Sequence, residues 1–332
     1  MKVKIKDVAI EAGVSTATVS HVINSTKNVS AEVRQKVTKA MKQLDYIPNS
    51  VARSLRSRKS NTIGLIVPIK ANDNANNFFL SVANGIECIL KKYGYHLLLS
   101  NSQENHLEEI ERIKMFNTQN IDGLIIAPTS KLCSETDKLF GDYPVVFIDR
   151  KPAEPPGDWV LVDGTKGAYC GVTALLDKGH RKIGCIAGLP DISTSKERMD
   201  GYRQALSDYK VDFNESLLKI GDMSWETGYE LAGQLLQEEG ATALFVANNA
   251  MSLGAVKYLK ENNIRIPEDI ALIGFDDYEW TEIVHPALSV IRQPSNELGK
   301  KAAEMLIHRI QKAGLKNRGY MFEAELVVRE SF

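Results

Sequence analysis

From Thr62 onward, short apolar segments alternate with amphipathic ones, and this alternation constrains the fold more strongly than any other feature of the chain. The predicted strands are Ile63–Val67, His96–Leu99, Gly123–Ala127, Val145–Ile148, Val160–Val162, Ile183–Ala187, Ala243–Ala247, Ile270–Phe275 and Leu288–Ile291. The predicted helices between them are Phe78–Tyr93, Leu107–Asn117, Gly167–Asp177, Lys196–Tyr209, Glu226–Glu238 and Met251–Asn262. Near-continuous apolar strands separated by helices are typical of a parallel sheet with helices on both faces. The sequence therefore predicts a doubly wound α/β fold here.

The strands form two successive series, which indicates two lobes. The series join near Asp149–Asp163 and again near Gln293, where we expect the hinge of a cleft. A late helix is predicted at Ser295–Ala313 and a final strand at Phe322–Val328. Lobe one is then expected at about 62–161 and 293–320, and lobe two at about 162–292 and 321–332.

The chain begins with a different pattern, centred on Val14–Asn24. With a helical period, Val19, Val22 and Ile23 share one side of this segment. The opposite side carries small polar groups and no acidic residue, and Ser15 is a suitable N-cap. Such a helix can approach a polyanion and reach past its phosphates to base edges.

Two further predicted helices accompany this segment. Ile5–Ala12 has an apolar face and is followed by Gly13, which permits a sharp turn. Ser30 caps a third helix, Ala31–Leu44, whose apolar residues close a small core. Two short helices joined by a glycine-containing turn form a helix-turn-helix, although ordinary tight helix pairs share this pattern.

Charge is distributed unevenly and favours the DNA-binding interpretation. Residues 1–60 carry twelve Lys and Arg against four Asp and Glu, whereas residues 61–332 carry 29 against 38. The net charge of −1 is therefore the sum of +8 on residues 1–60, the basic head, and −9 on residues 61–332, the acidic body. A basic head gains affinity by releasing counterions from phosphates, and an acidic body opposes nonspecific binding.

A short segment separates head and body. Pro48 is well placed to begin a helix, and Asn49–Arg56 has Leu55 on its apolar face. A helix this short is far below the roughly 12 residues at which isolated helices become marginally stable, so it should need a partner. Residues 57–61 form a polar linker. The expected domains are a headpiece at 1–47, a hinge at 48–61 and a body at 62–332.

Composition and motifs argue against other classes of protein. No apolar run approaches the ~20 residues that span a bilayer, and the first residues lack the apolar core of a signal peptide, so we expect a cytoplasmic chain without membrane contact. The four cysteines (88, 133, 170 and 185) are widely spaced without a CxxC pair, and we expect neither disulfides, nor a metal, nor a cofactor.

Two rival functions remain to be weighed. An enzyme is disfavoured because G-x-G, G-x-S-x-G, G-K-[ST] and H-E-x-x-H are absent, so no catalytic residue is expected. A solute-binding protein for transport fits the body, but the missing export signal and the basic head argue against it.

Ordered motifs over essentially the full length resemble the lactose/galactose-repressor family of bacterial transcription regulators. The motifs are IKDVAIEAGVSTATVSHVIN, YIPNSVARSL, IGLIVP, DGLI, VVFIDR, GHRKIGCIAG, RMDGY, LIGFDD, HPALSVIRQP and VVRES. The resemblance implies a helix-turn-helix headpiece on a body similar to periplasmic sugar-binding proteins. It also implies a homodimer on a pseudopalindromic double-stranded operator, most often as a repressor. The absence of a heptad extension after VVRES predicts dimers and not tetramers.

The same resemblance implies which residues contact DNA. Thr16, Ala17 and His21 match positions that contact bases in the major groove, and Thr18 and Ser20 support backbone and base contacts. Leu55 matches a leucine that is wedged into the minor groove, although a buried contact with the body is the alternative. The full expected set is Lys6, Ser15, Thr16, Ala17, Thr18, Ser20, His21, Asn24, Asn49, Ala52, Arg53 and Leu55.

For the cleft, the resemblance implies a small polar effector, expected to be a sugar or sugar derivative. The matching positions are Phe78, Asp149, Arg198, Asn249 and Asp276, with Met223 and Trp280 as weaker candidates. Arg198 offers a fork of donors and Asp276 accepts from hydroxyls, although a salt bridge across the hinge is the alternative. The effector acts as inducer or corepressor, or a protein partner replaces it; the sequence leaves these open.

Several residues depart from the family pattern. Lys4 stands where a Thr or Ser cap is usual, so the first helix is frayed or differently capped. Residues 76–79 are Asn-Asn-Phe-Phe in place of Asn-Pro-Phe-Phe, Asn249 replaces a common Asp, and Gly164 replaces the usual Asn. Because the departures in the body fall around the cleft, they bear on the identity of the effector rather than on the fold.

Overall fold

A computed structural model describes residues 3–24, 27–46, 60–70, 77–130, 139–152, 154–312, 314 and 316–332. The chain divides into two compact units, Met1–Ser60 and Asn61–Phe332, and each is described by itself. Among the described helices, none combines the length and apolar character that a membrane span requires. Most of the expected hinge, residues 48–61, lies outside the described residues.

The first unit contains three helices, α1 (Ile5–Ala12), α2 (Thr16–Asn24) and α3 (Ala31–Gln43). Their core is formed by small and β-branched side chains, with Val8 and Val37 fully buried. Such side chains let short helices approach closely around a small core. The predicted three-helix headpiece is confirmed.

The ends of α1 explain how this short helix is held without the usual cap. Asp7 accepts a hydrogen bond from the backbone N–H of Lys4 at 2.8 Å, so α1 is capped through its third residue. At the other end Gly13 has φ +64°, and the N–H groups of Gly13 and Val14 donate to the carbonyls of Ile10 and Ala9. These two bonds form a Schellman motif, which turns the chain into α2.

The second unit contains two six-stranded sheets. Lobe one consists of β1 (Thr62–Val67), α4 (Phe78–Lys92), β2 (His96–Asn101), α5 (His106–Thr118), β3 (Gly123–Ile126), β4 (Val145–Ile148), β5 (Asp158–Asp163), α11 (Ser295–Gln311) and β11 (Gly319–Glu323). Its strand order is β11-β5-β4-β3-β1-β2, and all pairs are parallel. Apolar clusters cover both faces of this sheet, so the predicted doubly wound fold is confirmed.

Lobe two has the same architecture with one reversed edge strand. It consists of α6 (Gly164–Asp177), β6 (Ile183–Ala187), α7 (Ser193–Asp208), a 3-10 turn (Glu215–Leu217), β7 (Leu218–Ile220), α8 (Trp225–Gln237), β8 (Ala243–Val246), α9 (Asn249–Glu261), β9 (Ala271–Phe275), α10 (Glu279–Ile283), β10 (Ser289–Arg292) and β12 (Glu325–Val327). The order is β12-β10-β9-β8-β6-β7, and only β12 runs antiparallel to its neighbour. One face of the sheet is covered by α6 and α7 and the other by α8 and α9.

The predicted single strand Phe322–Val328 is wrong, because two strands of different sheets occupy this region. Residues 319–323 pair in parallel with β5 of lobe one, whereas residues 325–327 pair antiparallel with β10 of lobe two. The chain therefore crosses between lobes at Ala324, later than the expected boundary near residue 321. This change of sheet depends on pairing with strands far away in sequence. It cannot be recognised from the local alternation of polar and apolar residues.

The helices α4 and α11 pack unusually closely in lobe one. A Cβ atom at Gly85 would lie 2.1 Å from the backbone oxygen of Asn296, and one at Gly299 would lie 2.1 Å from that of Val82. Glycine at both positions lets the two backbones approach where larger residues would force them apart. This contact packs α4, the first helix of the body, against α11, the helix that begins just after the chain crosses between the lobes near residue 294.

Candidate functional site

The polar side of α2 faces away from the headpiece core. Val19 and Val22 are buried against the other helices, whereas Thr16 and Ala17 are exposed and Thr18 is partly exposed. Ser20 and His21 are also partly exposed. Lys6 of α1 is also exposed, so each of these side chains is accessible in the headpiece.

The start of α2 has the cap that the sequence predicts. Ser15 Oγ accepts from the backbone N–H of Thr18 at 3.1 Å and lies 2.9 Å from the Thr18 hydroxyl. This cap satisfies one of the free amides in the first turn of α2 and stabilises the start of the helix. Asn24 is the last residue of the helix, and the hinge candidates Asn49, Ala52, Arg53 and Leu55 lie outside the described residues.

In the second unit, a cavity of about 220 Å³ lies between the two lobes. Its walls come from segments that follow the carboxyl ends of the parallel strands and from the first turns of helices. The lining residues are Pro68, Lys70, Phe78, Phe79, Glu104, Asp149, Arg150, Thr194, Ser195, Arg198, Asp222, Met223, Ser224, Ala247, Asn248, Asp276 and Gln293. Crevices at the carboxyl ends of parallel strands are the usual ligand sites of open α/β sheets.

Arg198 of α7 is the most deeply buried cation of this cavity, with 9% of its surface exposed. One terminal nitrogen donates to the carbonyl of Ala247 at 2.7 Å, and the guanidinium lies 3.7 Å from the ring centroid of Phe275. Among the described residues, Arg198 Nε has no hydrogen-bond partner. Burial lowers the pKa of Arg198, while the charges of Asp276 and Asp149 raise it. The side chain is therefore held in place with an unused donor.

Asp276 follows β9 and is held in an unusual backbone conformation, with φ +69°. Its backbone N–H donates to the carbonyl of Ile291 at 2.8 Å, and its Oδ1 accepts from Gln293 Nε2 at 2.7 Å. These contacts tie Asp276 to the second crossing between the lobes. Aspartate adopts this left-handed conformation more readily than most residues do.

On the lobe-one wall, Asp149 and Arg150 follow β4, and Asp149 also has a positive φ, +62°. Arg150 donates to Glu104 at 2.7 Å, and its Nε lies 3.3 Å from Asp149 Oδ2. Burial raises the pKa of the Asp149 carboxyl, although Arg150 and Arg198 oppose this. The wall therefore presents a paired but buried group of charges.

Contacts also span the mouth of the cleft. Lys70 of lobe one donates to the backbone oxygen of Asp222 in lobe two at 3.2 Å. The hydroxyls of Ser224 and Thr227 donate to the Asp222 carboxylate and lower its pKa to about 2. Phe78, at the start of α4, is nearly buried and contributes an apolar wall.

The structure brings four of the five expected cleft residues to the cavity, and it places the fifth elsewhere. Asn249 does not line the cavity; its buried Oδ1 accepts from the indole N–H of Trp280 at 3.0 Å. The adjacent Asn248 lines the cavity and caps α9 by accepting from Met251 N–H at 3.1 Å. The sequence could not show which of the two consecutive asparagines lines the cavity, because it defines the exact start of a helix poorly.

Sequence reasoning missed several lining residues. Lys70, Glu104 and Gln293 each follow a strand, so the strand-end rule applied to every strand would have found them. Met223, a weaker candidate, does line the cavity, whereas Trp280 lies outside it.

Comparison with known proteins identifies the family of the chain. Residues 4–49 match the family described as bacterial regulatory proteins, lacI family, and residues 172–332 match the periplasmic binding protein-like domain. The chain is 36% identical to the HTH-type transcriptional repressor PurR of Vibrio atlanticus, over 98% of both chains. It is similar to the Lac repressor dimer bound to operator and an anti-inducer (28% identity, TM-score 0.88, 100% and 99% of the chains).

A second solved structure, a transcriptional regulator CelR–cellobiose complex, is 29% identical with a TM-score of 0.74 over 100% of both chains. The full-length relatives are repressors rather than enzymes. The chain therefore belongs to the lacI family of bacterial regulatory proteins and is a DNA-binding transcriptional repressor.

Proposed function

We propose that this repressor binds a pseudopalindromic operator as a homodimer and responds to a small polar effector, a sugar or sugar derivative, in the interlobe cavity. The observation that carries the effector proposal is the buried, unpartnered Nε of Arg198 in the cavity wall. A buried donor without a partner is costly, and a ligand oxygen would satisfy it.

A polyhydroxylated ligand suits the chemistry of the remaining wall. Sugar hydroxyls both donate and accept, so one ring can accept from Arg198 and donate to Asp276 or Asn248. Phe78 offers an apolar surface for the C–H face of such a ring. The cellobiose carried by the related CelR complex supports this ligand class.

The effector proposal is tested by a thermal-shift screen of the full chain against neutral sugars, sugar phosphates and nucleobases. A sugar held at 100 times its Kd should stabilise the body by about 2.7 kcal/mol. Asp276→Ala should abolish this stabilisation, whereas Asp212→Ala, in an exposed loop, should keep it. A nucleobase as the stabilising ligand, or a sugar shift that survives Asp276→Ala, contradicts the proposal.

For the operator, we propose that Thr16, Ala17 and His21 contact bases, that Thr18, Ser20 and Asn24 support them, and that Lys6 contacts phosphate. His21→Ala should alter the preferred bases by ~1–3 kcal/mol at one base pair, because its imidazole can bond to a base edge. Lys6→Ala should weaken all sequences about equally. Selection from a randomised operator pool decides this, and unchanged preferences for His21→Ala refute the assignment.

The homodimer proposal is supported by an exposed apolar surface on lobe two. Trp225, Leu253 and Ile283 are 40%, 37% and 80% exposed and line one groove beside α9 and α10. The related Lac repressor is a dimer on its operator, which favours a second copy of this chain as the occupant. A two-fold operator requires two headpieces, and an apolar patch of this kind is typical of subunit interfaces.

A further inference from the structure

A second cavity, the outer cavity, adjoins the cavity beside Arg198, the inner cavity. Lys70 and Glu104 line both, so the two cavities meet at these side chains. The lobe-one wall of the outer cavity includes Gln103 and Ser130, and its lobe-two wall includes Leu189 and Asp191. All four of these residues are exposed. The cleft therefore continues beyond the site around Arg198.

The volumes of the two cavities favour a ligand that occupies both. Small-molecule sites in proteins typically enclose ~300–1,000 Å³. The inner cavity, at about 220 Å³, is smaller than this, and the outer cavity adds about 430 Å³. A ligand confined to the inner cavity would leave the larger of the two volumes unused. A ligand long enough to pass Lys70 and Glu104 would fill a site of ordinary size.

The junction between the cavities is held by Asn101, the last residue of β2. Its Oδ1 accepts from the backbone N–H groups of Ile69 and Gln103, each at 2.9 Å, and its Nδ2 donates to the carbonyl of Ile69 at 2.8 Å. These bonds tie the segment that carries Lys70 to the segment that carries Glu104. The two junction residues therefore come from backbone segments that are fixed relative to each other.

The junction offers both donors and acceptors to a ligand. Lys70 donates to the backbone oxygen of Asp222 at 3.2 Å, and its ammonium group has three donors in all. Glu104 Oε1 accepts from the backbone N–H of Ser130 at 3.1 Å, and Oε2 accepts from Arg150 at 2.7 Å. Each carboxylate oxygen can accept a second hydrogen bond. Hydroxyl groups on either side of a glycosidic linkage can therefore bond to both junction residues.

The wall of the outer cavity combines one apolar side chain with several polar ones. Leu189 is 40% exposed, and Gln103, Ser130 and Asp191 supply hydrogen-bonding groups. A sugar ring has C–H groups on its faces and hydroxyl groups around its rim, so it can cover the leucine and bond to the polar side chains. An apolar substituent would cover the same polar groups without bonding to them, at a cost in free energy. The outer cavity therefore suits a second sugar unit.

We propose that the effector is an elongated saccharide of at least two units. The first unit binds in the inner cavity beside Arg198 and Asp276, the linkage lies at Lys70 and Glu104, and the second unit binds against Leu189 in the outer cavity. This inference rests on the sugar effector proposed above and adds its length. Because both cavities have walls from both lobes, each unit of the ligand contacts both lobes.

The test compares disaccharides with their constituent monosaccharides by titration calorimetry of the full chain, using glucose, galactose, cellobiose, maltose, lactose and melibiose. At least one disaccharide should bind about ten- to a hundredfold tighter than each of its monosaccharides, as one or two additional hydrogen bonds and an apolar contact would provide. This ratio of affinities should fall in Leu189→Ala and approach one in Ser130→Trp, which fills the outer cavity. Leu99→Ala, a similarly exposed leucine that lines neither cavity, should keep the ratio.

Methyl NMR of the leucine-labelled chain gives a second readout, with the Leu189 signal assigned by its loss in Leu189→Ala. This signal should shift with the tightest-binding disaccharide and stay unchanged with its monosaccharides. A monosaccharide that binds as tightly as its disaccharides, or a ratio that Ser130→Trp leaves intact, overturns the proposed length and leaves the sugar proposal standing. If none of these sugars binds, the elongated saccharide is refuted, and a nucleobase that binds instead refutes the sugar proposal as well.

Discussion

At the scale of single residues, the proposed effector site depends on how Arg198 is held in the body. The Ala247 carbonyl and the Phe275 ring hold its guanidinium, so one donor can remain directed without a partner. Fixing this side chain in advance lowers the entropy that a ligand must offset on binding. Site residues of this kind depend on neighbours contributed by other strands.

Arg198→Lys should weaken effector binding by roughly ten- to a hundredfold, since a charged hydrogen bond contributes ~1.5–3 kcal/mol and lysine lacks the planar fork. Titration calorimetry with the effector measures this change. Arg203→Lys, five residues further along α7 and half exposed, is the control and should bind normally. Equal affinity in both variants would remove Arg198 from the site.

At the scale of elements, the turn between α1 and α2 depends on backbone conformation rather than on space. No atom lies within 4 Å of a Cβ built on Gly13, yet its φ is +64°. Gly13→Ala should therefore destabilise the headpiece by about 1 kcal/mol, whereas Gly13→Asn should cost less because asparagine tolerates this conformation. Hydrogen exchange of the headpiece amides measures both, and equal losses would argue against conformational strain.

At the α4–α11 contact, by contrast, glycine is required because a larger side chain would clash with the backbone of the neighbouring helix. Gly85→Ala would place a methyl group 2.1 Å from the Asn296 oxygen, so the helices must separate. We expect a loss of ~1–3 kcal/mol in the free energy of unfolding, as for other overpacked cores. Gly94→Ala is the control, because Gly94 has a positive φ and open space around it, and this change should destabilise the protein less. If urea unfolding shows a larger loss of stability for Gly94→Ala than for Gly85→Ala, this explanation is refuted.

At the scale of the whole molecule, the lobe-two surface should decide assembly. Ile283→Asp places a charge in the apolar groove and should shift the chain toward monomers, weakening operator binding because two headpieces no longer act together. Phe213→Asp, on the side of the sheet covered by α7, is the matched control. Sedimentation compares the two, and a dimer that persists in Ile283→Asp locates the interface elsewhere.

The two compact units also predict separable functions. Removing residues 1–60 should abolish operator binding and leave a folded body that still binds effector, because the unit boundary falls at Ser60. Operator affinity of the full chain should fall steeply with salt, since the head carries a net charge of +8. Gel-shift titrations at two salt concentrations measure this. Binding that survives the deletion, or that ignores salt, contradicts DNA binding by the headpiece.

Local sequence determined the elements of this protein. Gly13 and Ser15 delimit helices through their own backbone and side-chain preferences, and apolar runs such as Ile63–Val67 form central strands that are buried on both faces. These signals span a few residues, so a linear sequence displays them fully. The headpiece, the alternating body and the polar face of α2 were therefore predictable.

Only the tertiary structure decided which strands pair and which side chains line the cavity. The split between β11 and β12 depends on pairing Tyr320 with Val160 and Val327 with Val290, which lie far away in sequence. Likewise, Asn248 lines the cavity while Asn249 accepts a hydrogen bond from Trp280. Such outcomes follow from packing and electrostatics between distant segments, because a side chain's surroundings exist only once the chain has folded.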